Sequence, residues 1–184
     1  LHLPHLLLSN DIRIAVTQSA AVHGYTVEEW RDERTLRRLH RADLITVTLP
    51  SGEQQTTHVI PDGYFLLQVE KKRKHRFIEI DRATVTGRTT SEQNRAWNKK
   101  VVAYLAWHRS GKYKQRYKTP AFGVLTITTT EERLSNLKRI TEEVGGKQHF
   151  WFTCLSRLNG QDFLTAPIWT AATTQDLRCI IDVS

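Results

Sequence analysis

The chain has 184 residues, 39% of them apolar and 25% charged, which suits one globular domain with a sizeable core. No apolar run approaches the length of a membrane span, and the opening LHLPHLLLS lacks the basic start and small-residue cleavage site of a signal peptide. A formal charge of +8 favours a polyanionic partner, through attraction to phosphates and release of counterions.

Ser9 is placed to cap a helix running to about His23, with Gly24 as its stop and Ile12, Val16, Ala20 and His23 on one face. YTVEEWRDE (25–33) predicts a strand that leaves into a polar turn. LITVTL (44–49) and QQTTHV (54–59) flank PSGE and predict a hairpin. After the break at Pro61-Asp62-Gly63, YFLLQV (64–69) is apolar throughout, as a strand buried on both faces should be. EKKRKH is expected to be its turn, and RFIEID (76–81) the returning strand. Alternation then puts Phe77, Glu79 and Asp81 on one face and Ile78 and Ile80 on the other.

TVTGRTT (84–90) is expected to be loop, and Ser91 to cap a helix over 92–109 that ends at Ser110-Gly111. Trp97, Val101, Tyr104, Leu105 and His108 form its apolar stripe. FGVLTITTT (122–130) predicts a strand, and 131–144 a helix with Leu134, Leu137, Thr141 and Val144 inward, stopped by Gly145-Gly146. HFWFTCL (149–155) predicts a further strand, and the tail beyond Gly160 is less regular. This order argues one α/β domain over residues 1–184, its core at about 9–155, with a mixed central sheet flanked by helices. Cys154 and Cys179 have neither metal spacing nor a disulfide framework, so reduced, buried thiols in a cytoplasmic protein are expected. The chain contains no Met, so a piece or mature form of something longer is expected.

Asp62 begins one strand of the 64–81 hairpin, and Glu79 and Asp81 end its partner, so the three carboxylates can converge at one end of the sheet. Hard divalent cations take a few carboxylate oxygens and keep several waters. The alternative is a pair of acids facing solvent on an edge strand. Lys100 and Tyr104 lie one helical turn apart and share a face. Lys100 could serve phosphate or a nucleophilic water; alternatively it snorkels beside a core tyrosine. KKRKHR (71–76) and KYKQRYK (112–118) fit contact with a nucleic-acid backbone, and Tyr113 and Tyr117 would suit base stacking. The expected DNA contacts are Lys71, Lys72, Arg73, Lys74 and Arg82 in the first region. In the second they are Lys112, Lys114, Arg116 and Lys118. Taken singly, such a stretch is usually a solvated turn; two of them with the carboxylates between make a stronger case for nucleic acid. The histidines have no zinc pattern.

Pro61-Asp62 followed by Glu79-Ile80-Asp81 and a helix resembles the PD-(D/E)xK nuclease superfamily. HLLLSNDIRIAV (5–16), WRDE (30–33), IPDGYF (60–65), FIEIDR (77–82), KVVAYLAWHRSGKY (100–113) and FGVLTITTTEERLSNL (122–137) are, in this order, similar to the plasmid replication-relaxation protein family. The resemblance implies a restriction-endonuclease-like core of helix, three strands, helix and strand, followed here by a further helix and strand. It also implies a winged-helix domain upstream, outside this chain, and a setting in the cytoplasm of a prokaryote. It carries Asp62 and Glu79 over as Mg²⁺ or Mn²⁺ carboxylates, with Asp81 beside them where the superfamily has its lysine. Lys100 becomes the candidate for a migrated lysine, with Tyr104 beside it. Asn10, Asp32 and Glu33 are lesser candidates for the same site. Where the family has Gly-Thr-Glu after Asp-Arg, this chain has Ala83-Thr84-Val85. The implied function is a metal-dependent DNA endonuclease, working as a homodimer if both strands are cut. The alternatives are an inactive DNA-binding replication domain that keeps the fold, and an interaction module whose basic surface meets an acidic protein.

Overall fold

The computed structural model describes residues 3–48, 52–82 and 89–182. In chain order the elements are α1 (Leu3–Val22), β1 (Thr26–Asp32), α2 (Glu33–His40), β2 (Ile45–Thr48), β3 (Gln54–Thr57), β4 (Gly63–Val69), β5 (Lys72–Asp81), α3 (Thr90–Ser110), α4 (Lys112–Tyr117), β6 (Gly123–Thr128), α5 (Glu131–Glu143), β7 (Phe150–Cys154), α6 (Leu155–Leu158), β8 (Trp169–Ala171) and β9 (Leu177–Arg178). One seven-stranded sheet has the order β1-β4-β5-β6-β7-β8-β9, and β2 and β3 pair separately as the expected hairpin. The β5–β6 and β6–β7 pairs are parallel, and β1–β4, β4–β5 and β7–β8 are antiparallel. The fold is therefore the expected mixed sheet flanked by helices.

Each parallel pair needs a crossover, and α3 and α5 supply them. Both steps move in the same direction across the sheet, so both helices cover the same face. Beneath them lies an aromatic core that includes Tyr64, Phe77, Trp97, Tyr104, Trp107 and Phe150. On the other face Ile12, Val16 and Ala20 of α1 meet Phe65, Ile78, Ile80 and Leu125, together with Phe163 and Trp169 from the tail. The two faces of β5 divide as alternation requires: Phe77 joins one core, Ile78 and Ile80 the other.

Several element boundaries differ from expectation for local reasons. α1 starts at Leu3, not at Ser9, because proline at position 4 is tolerated in a first helical turn. The polar turn after β1 is the helix α2, whose N-cap Asp32 accepts from the Thr35 N–H at 2.8 Å while Leu36 and His40 point inward. α3 is capped by Thr89, which forms a capping box with Glu92, rather than by Ser91. The turn before β5 is only Glu70-Lys71, with Glu70 in the left-handed region at φ 52°, so the basic run continues as strand from Lys72. His108 is exposed rather than part of the inward stripe. Both cysteines are free, Cys154 buried as expected and Cys179 only half-buried. The sheet continues past residue 155 through β8 and β9. Most of the loop expected over 84–90, including the Ala83-Thr84-Val85 site, lies outside the described residues.

Under the start of β5, His40 is fully buried, with Nδ1 2.7 Å from the Val59 carbonyl and Nε2 2.6 Å from the Tyr117 hydroxyl. A carbonyl only accepts, so Nδ1 carries the proton and Nε2 accepts from tyrosine. Burial pushes the ring down from its ordinary 6.5 to about 4. The unfolded chain therefore takes up a proton that the folded chain refuses. Stability from this group is present above pH 6.5 and is lost as pH falls towards 4. Over that range the wild type loses about 3 kcal/mol more stability than His40→Gln, which cannot titrate. Urea midpoints measured across the range check this, and parallel pH profiles for the two proteins would contradict it.

Candidate active site

β5 carries Glu79 on the face covered by α3, and that side chain is 1% exposed. A carboxylate so buried needs partners for both oxygens, and α3 supplies them from positions one turn apart. Lys100 Nζ donates to Glu79 Oε2, and the Tyr104 hydroxyl donates to Oε1 at 2.7 Å. The predicted shared face of Lys100 and Tyr104 is therefore the face that meets Glu79.

Asp62 reaches the same place from the start of β4. Its backbone N–H donates to the Ile78 carbonyl at 3.0 Å, and its Oδ2 accepts from the Ile80 N–H at 2.7 Å. Asp62 is thus bonded to both chain neighbours of Glu79. Burial pushes the Glu79 carboxyl up to about 7. The Lys100 ammonium pulls it down but does not win, and Asp62 pushes in the same direction as burial. For Lys100 burial acts downward, but the charges of Glu79 and Asp62 carry it above its ordinary value. The Lys100 side chain is 38% exposed along its length, while its ammonium end turns inward onto Glu79.

Asp81, two residues on, is held differently. Arg133 of α5 grips it with both Nε, at 2.7 Å to Oδ2, and Nη2, at 3.0 Å to Oδ1. Thr128 donates to Oδ2 at 3.2 Å, and Arg133 Nη1 also donates to Asn94 Oδ1 at 2.6 Å. Asp81 is the anchor of an ion pair between the sheet and α5. Among the described residues, no three His, Cys, Asp or Glu side chains come together as a set that could hold a metal ion.

Sequence reasoning did not single out Arg133, Asn94 or Thr126. Arg133 shares a helical face with Leu137 and Ile140, which was the available signal. Thr126 stands in register with Glu79 across the β5–β6 pair, is fully buried, and has no hydrogen-bond partner for its hydroxyl among the described residues. The lesser candidates do different work. Asp32 pairs with Gly63 at the same end of the sheet, but its carboxylate caps α2. Glu33 pairs with Arg37 at 2.5 Å, and Asn10 is exposed on α1, across the sheet from Glu79.

The basic stretches do not flank the carboxylates. Arg73 lies six residue steps from Glu79 along β5, about 20 Å of β-strand. Lys71, Lys72 and Arg73 are exposed around the β4–β5 turn, and Arg73 pairs with Glu28 at 2.8 Å. Lys74 is half-buried, and burial lowers its ammonium pKa. The second stretch is the helix α4, which packs at that same far end, where the Tyr117 ring lies 6.2 Å from His75. Tyr113 and Tyr117 are buried there, so neither ring is available to stack on a base. Lys112 donates to the Leu44 carbonyl, and Arg116 holds Asp43 with two bonds of 2.6 Å. Lys114 and Lys118 are exposed, and Arg82 follows β5 directly at the carboxylate end.

A family model described as replication-relaxation matches residues 1–121. No curated protein matches the chain, and no solved structure does. The matched span contains Asp62, Glu79, Asp81, Lys100 and Tyr104 and ends before β6.

The raised Glu79 carboxyl has a thermodynamic consequence. The folded chain keeps this proton to higher pH than the unfolded chain, whose ordinary value is 4.5. Stability from Glu79 is therefore full below 4.5 and is lost as pH rises through about 7. Glu79→Gln should gain on the wild type across that window, by at most about 1.4 kcal/mol per pH unit. Denaturant midpoints of the two proteins should converge or cross as pH rises; a constant gap would contradict the assignment.

Proposed function

The chain belongs to the replication-relaxation family, and from that premise we propose that it acts on plasmid or mobile-element DNA as a metal-dependent endonuclease domain with a restriction-endonuclease-like core. The observation that carries the reading is the meeting of Asp62, Glu79 and Lys100, two carboxylates from neighbouring strands and a lysine from the helix above them. Magnesium binds through one or two carboxylates, keeping several waters and adding substrate phosphate oxygens. Asp62 and Glu79 fit that donor set; Asp81, gripped by Arg133, stays outside it. Mg²⁺ or Mn²⁺ held there would supply positive charge to a phosphodiester and make a bound water more acidic.

The chain's own residues would do the rest. Lys100, fixed at one oxygen of Glu79 with its side chain partly exposed, would place a positive charge beside a phosphate oxygen or orient the attacking water. Tyr104 would position Glu79 through the other oxygen. Arg82, at the carboxylate end, would hold phosphate near the cut. The exposed Lys71, Lys72, Arg73, Lys114 and Lys118, gathered at the far end of the sheet, would grip flanking duplex, with Lys74, Lys112 and Arg116 set among them. Cutting both strands would take two such sites, hence a homodimer.

A second reading has its own support. Both oxygens of Glu79 already have donors, and Asp81 is neutralised by Arg133. That pattern suits a DNA-binding domain that keeps the fold without the reaction. Supercoiled plasmid incubated with Mg²⁺ or Mn²⁺ separates the two. The first reading predicts metal-dependent relaxation or linearisation, abolished in Glu79→Ala and slowed on the order of 100-fold in Lys100→Gln. No cleavage by the wild type, with salt-sensitive DNA binding intact, would establish the second reading. Binding that does not weaken with salt would count against both.

A further inference from the structure

Three adjoining hollows of about 260, 320 and 420 Å³ run along the exposed side of α3. Lys99 lines all three, Thr57 links the first two, and Asn98 links the second and third. The β2–β3 hairpin walls one side through Val47 and Thr57, and α5 closes the far end through Arg139. The first hollow ends at Lys100, whose ammonium is bonded to Glu79, and its other wall is the segment 57–60 that leads directly into Asp62. The groove therefore ends beside Lys100 and the segment that leads to Asp62, next to the carboxylate cluster, whereas the two basic stretches of the sequence lie at the far end of the sheet.

Its chemistry is one-sided. Arg95, Lys99, Lys100 and Arg139 line it, against Glu143 as the one carboxylate among its described lining residues, and Glu143 is already paired with Arg139. Among the described residues, neither Arg95 nor Lys99 has a carboxylate partner, so both charges are available to a ligand. Half-buried Val102 and Val144 give the middle an aliphatic floor. Each hollow is at or near the small end of the roughly 300–1,000 Å³ that holds one drug-sized molecule, the scale of a single nucleotide and too narrow for a duplex. Unpaired positive charge and a narrow bore suit a sugar–phosphate strand held at its backbone, without regard to base sequence.

We infer that this groove is the track of a single DNA strand, held at its phosphates by Arg95 and Lys99 and led by Lys100 to the Asp62–Glu79 cluster. The inference rests on the reading of the protein as one that acts on DNA, and it supplies that reading with a single-stranded segment as the form that reaches the site.

The test is binding of a fluorescent, mixed-sequence single-stranded oligonucleotide over a range of salt concentrations, without divalent metal, so that cleavage plays no part. Each phosphate contact on a single strand contributes about 0.7 to the slope of log affinity against log salt. The double variant Arg95→Gln, Lys99→Gln should therefore show a slope smaller by about 1.4 and, at 0.1 M salt, binding weaker by on the order of 25-fold. Both side chains are exposed, so the variant should keep the wild-type melting temperature, which is measured alongside. The charge-matched control Lys147→Gln, Arg178→Gln, on exposed positions away from the groove, should bind as the wild type does. Wild-type affinity and slope in the groove variant would overturn the inference, as would an equal loss in the control. An equal loss of single-strand and duplex binding in the groove variant would overturn the single-strand assignment. If the wild type fails to cut plasmid but the groove variant alone loses single-strand binding, the endonuclease reading falls and the track stands.

Discussion

A carboxylate placed inside a sheet has to be answered by donors from whatever covers it, and at Glu79 that requirement ties the protein together. Leaving such a charge unpaired costs several kcal/mol. Lys100 and Tyr104 answer it from consecutive turns of α3, so the helix that makes the β5–β6 crossover has its rotation fixed over the sheet. Trp97, Val101 and Trp107 of the same helix are buried in the aromatic core as a result. The second crossover helix is held by the parallel device one step further along β5, where Arg133 grips Asp81. Two acids on one strand face thus set the placement of both helices. Only the first has a partner, Lys100, whose side chain is partly exposed, against 8% for Arg133.

That difference between the two acids separates the structural role from the chemical one. Asp81 meets a guanidinium in a two-point grip, the geometry in which arginine is strongest and least replaceable. Glu79 meets a lysine and a phenol at single points and is pushed up to about 7, so its charge is poised near neutrality. Perturbed groups of this kind gather at functional sites. Asp62, bonded on either side of Glu79 to the same strand, brings a second carboxylate without needing a longer loop.

Much of this was legible in the chain itself. Alternation in RFIEID assigned Phe77, Glu79 and Asp81 to one face, and helical spacing put Lys100 and Tyr104 on another, because both rest on strict local periods. What stayed hidden depended on long-range pairing or on charged residues used as structure. The basic run 72–75 is strand because β4 continues to pair with it, which no local pattern announces. DERTLRRLH is helical although it has few apolar residues, since Leu36 and His40 alone meet the core and Asp32 supplies the cap. Tyr113 and Tyr117, interleaved with cations, resemble a stacking surface in sequence, but their spacing of four places both on the buried face of α4. Arg133 and Thr126 belong to the part of the chain that becomes adjacent to Glu79 and Asp81 only once β6 pairs with β5.

The most direct measurement of the central claim is the titration of the Glu79 side-chain carboxyl carbon by NMR, with and without millimolar Mg²⁺. A poised carboxylate that also ligates metal predicts a midpoint near 7 in the metal-free protein, moved to lower pH by Mg²⁺ because the cation competes with the proton. A midpoint at the ordinary glutamate value of about 4.5 that Mg²⁺ leaves unchanged would contradict it.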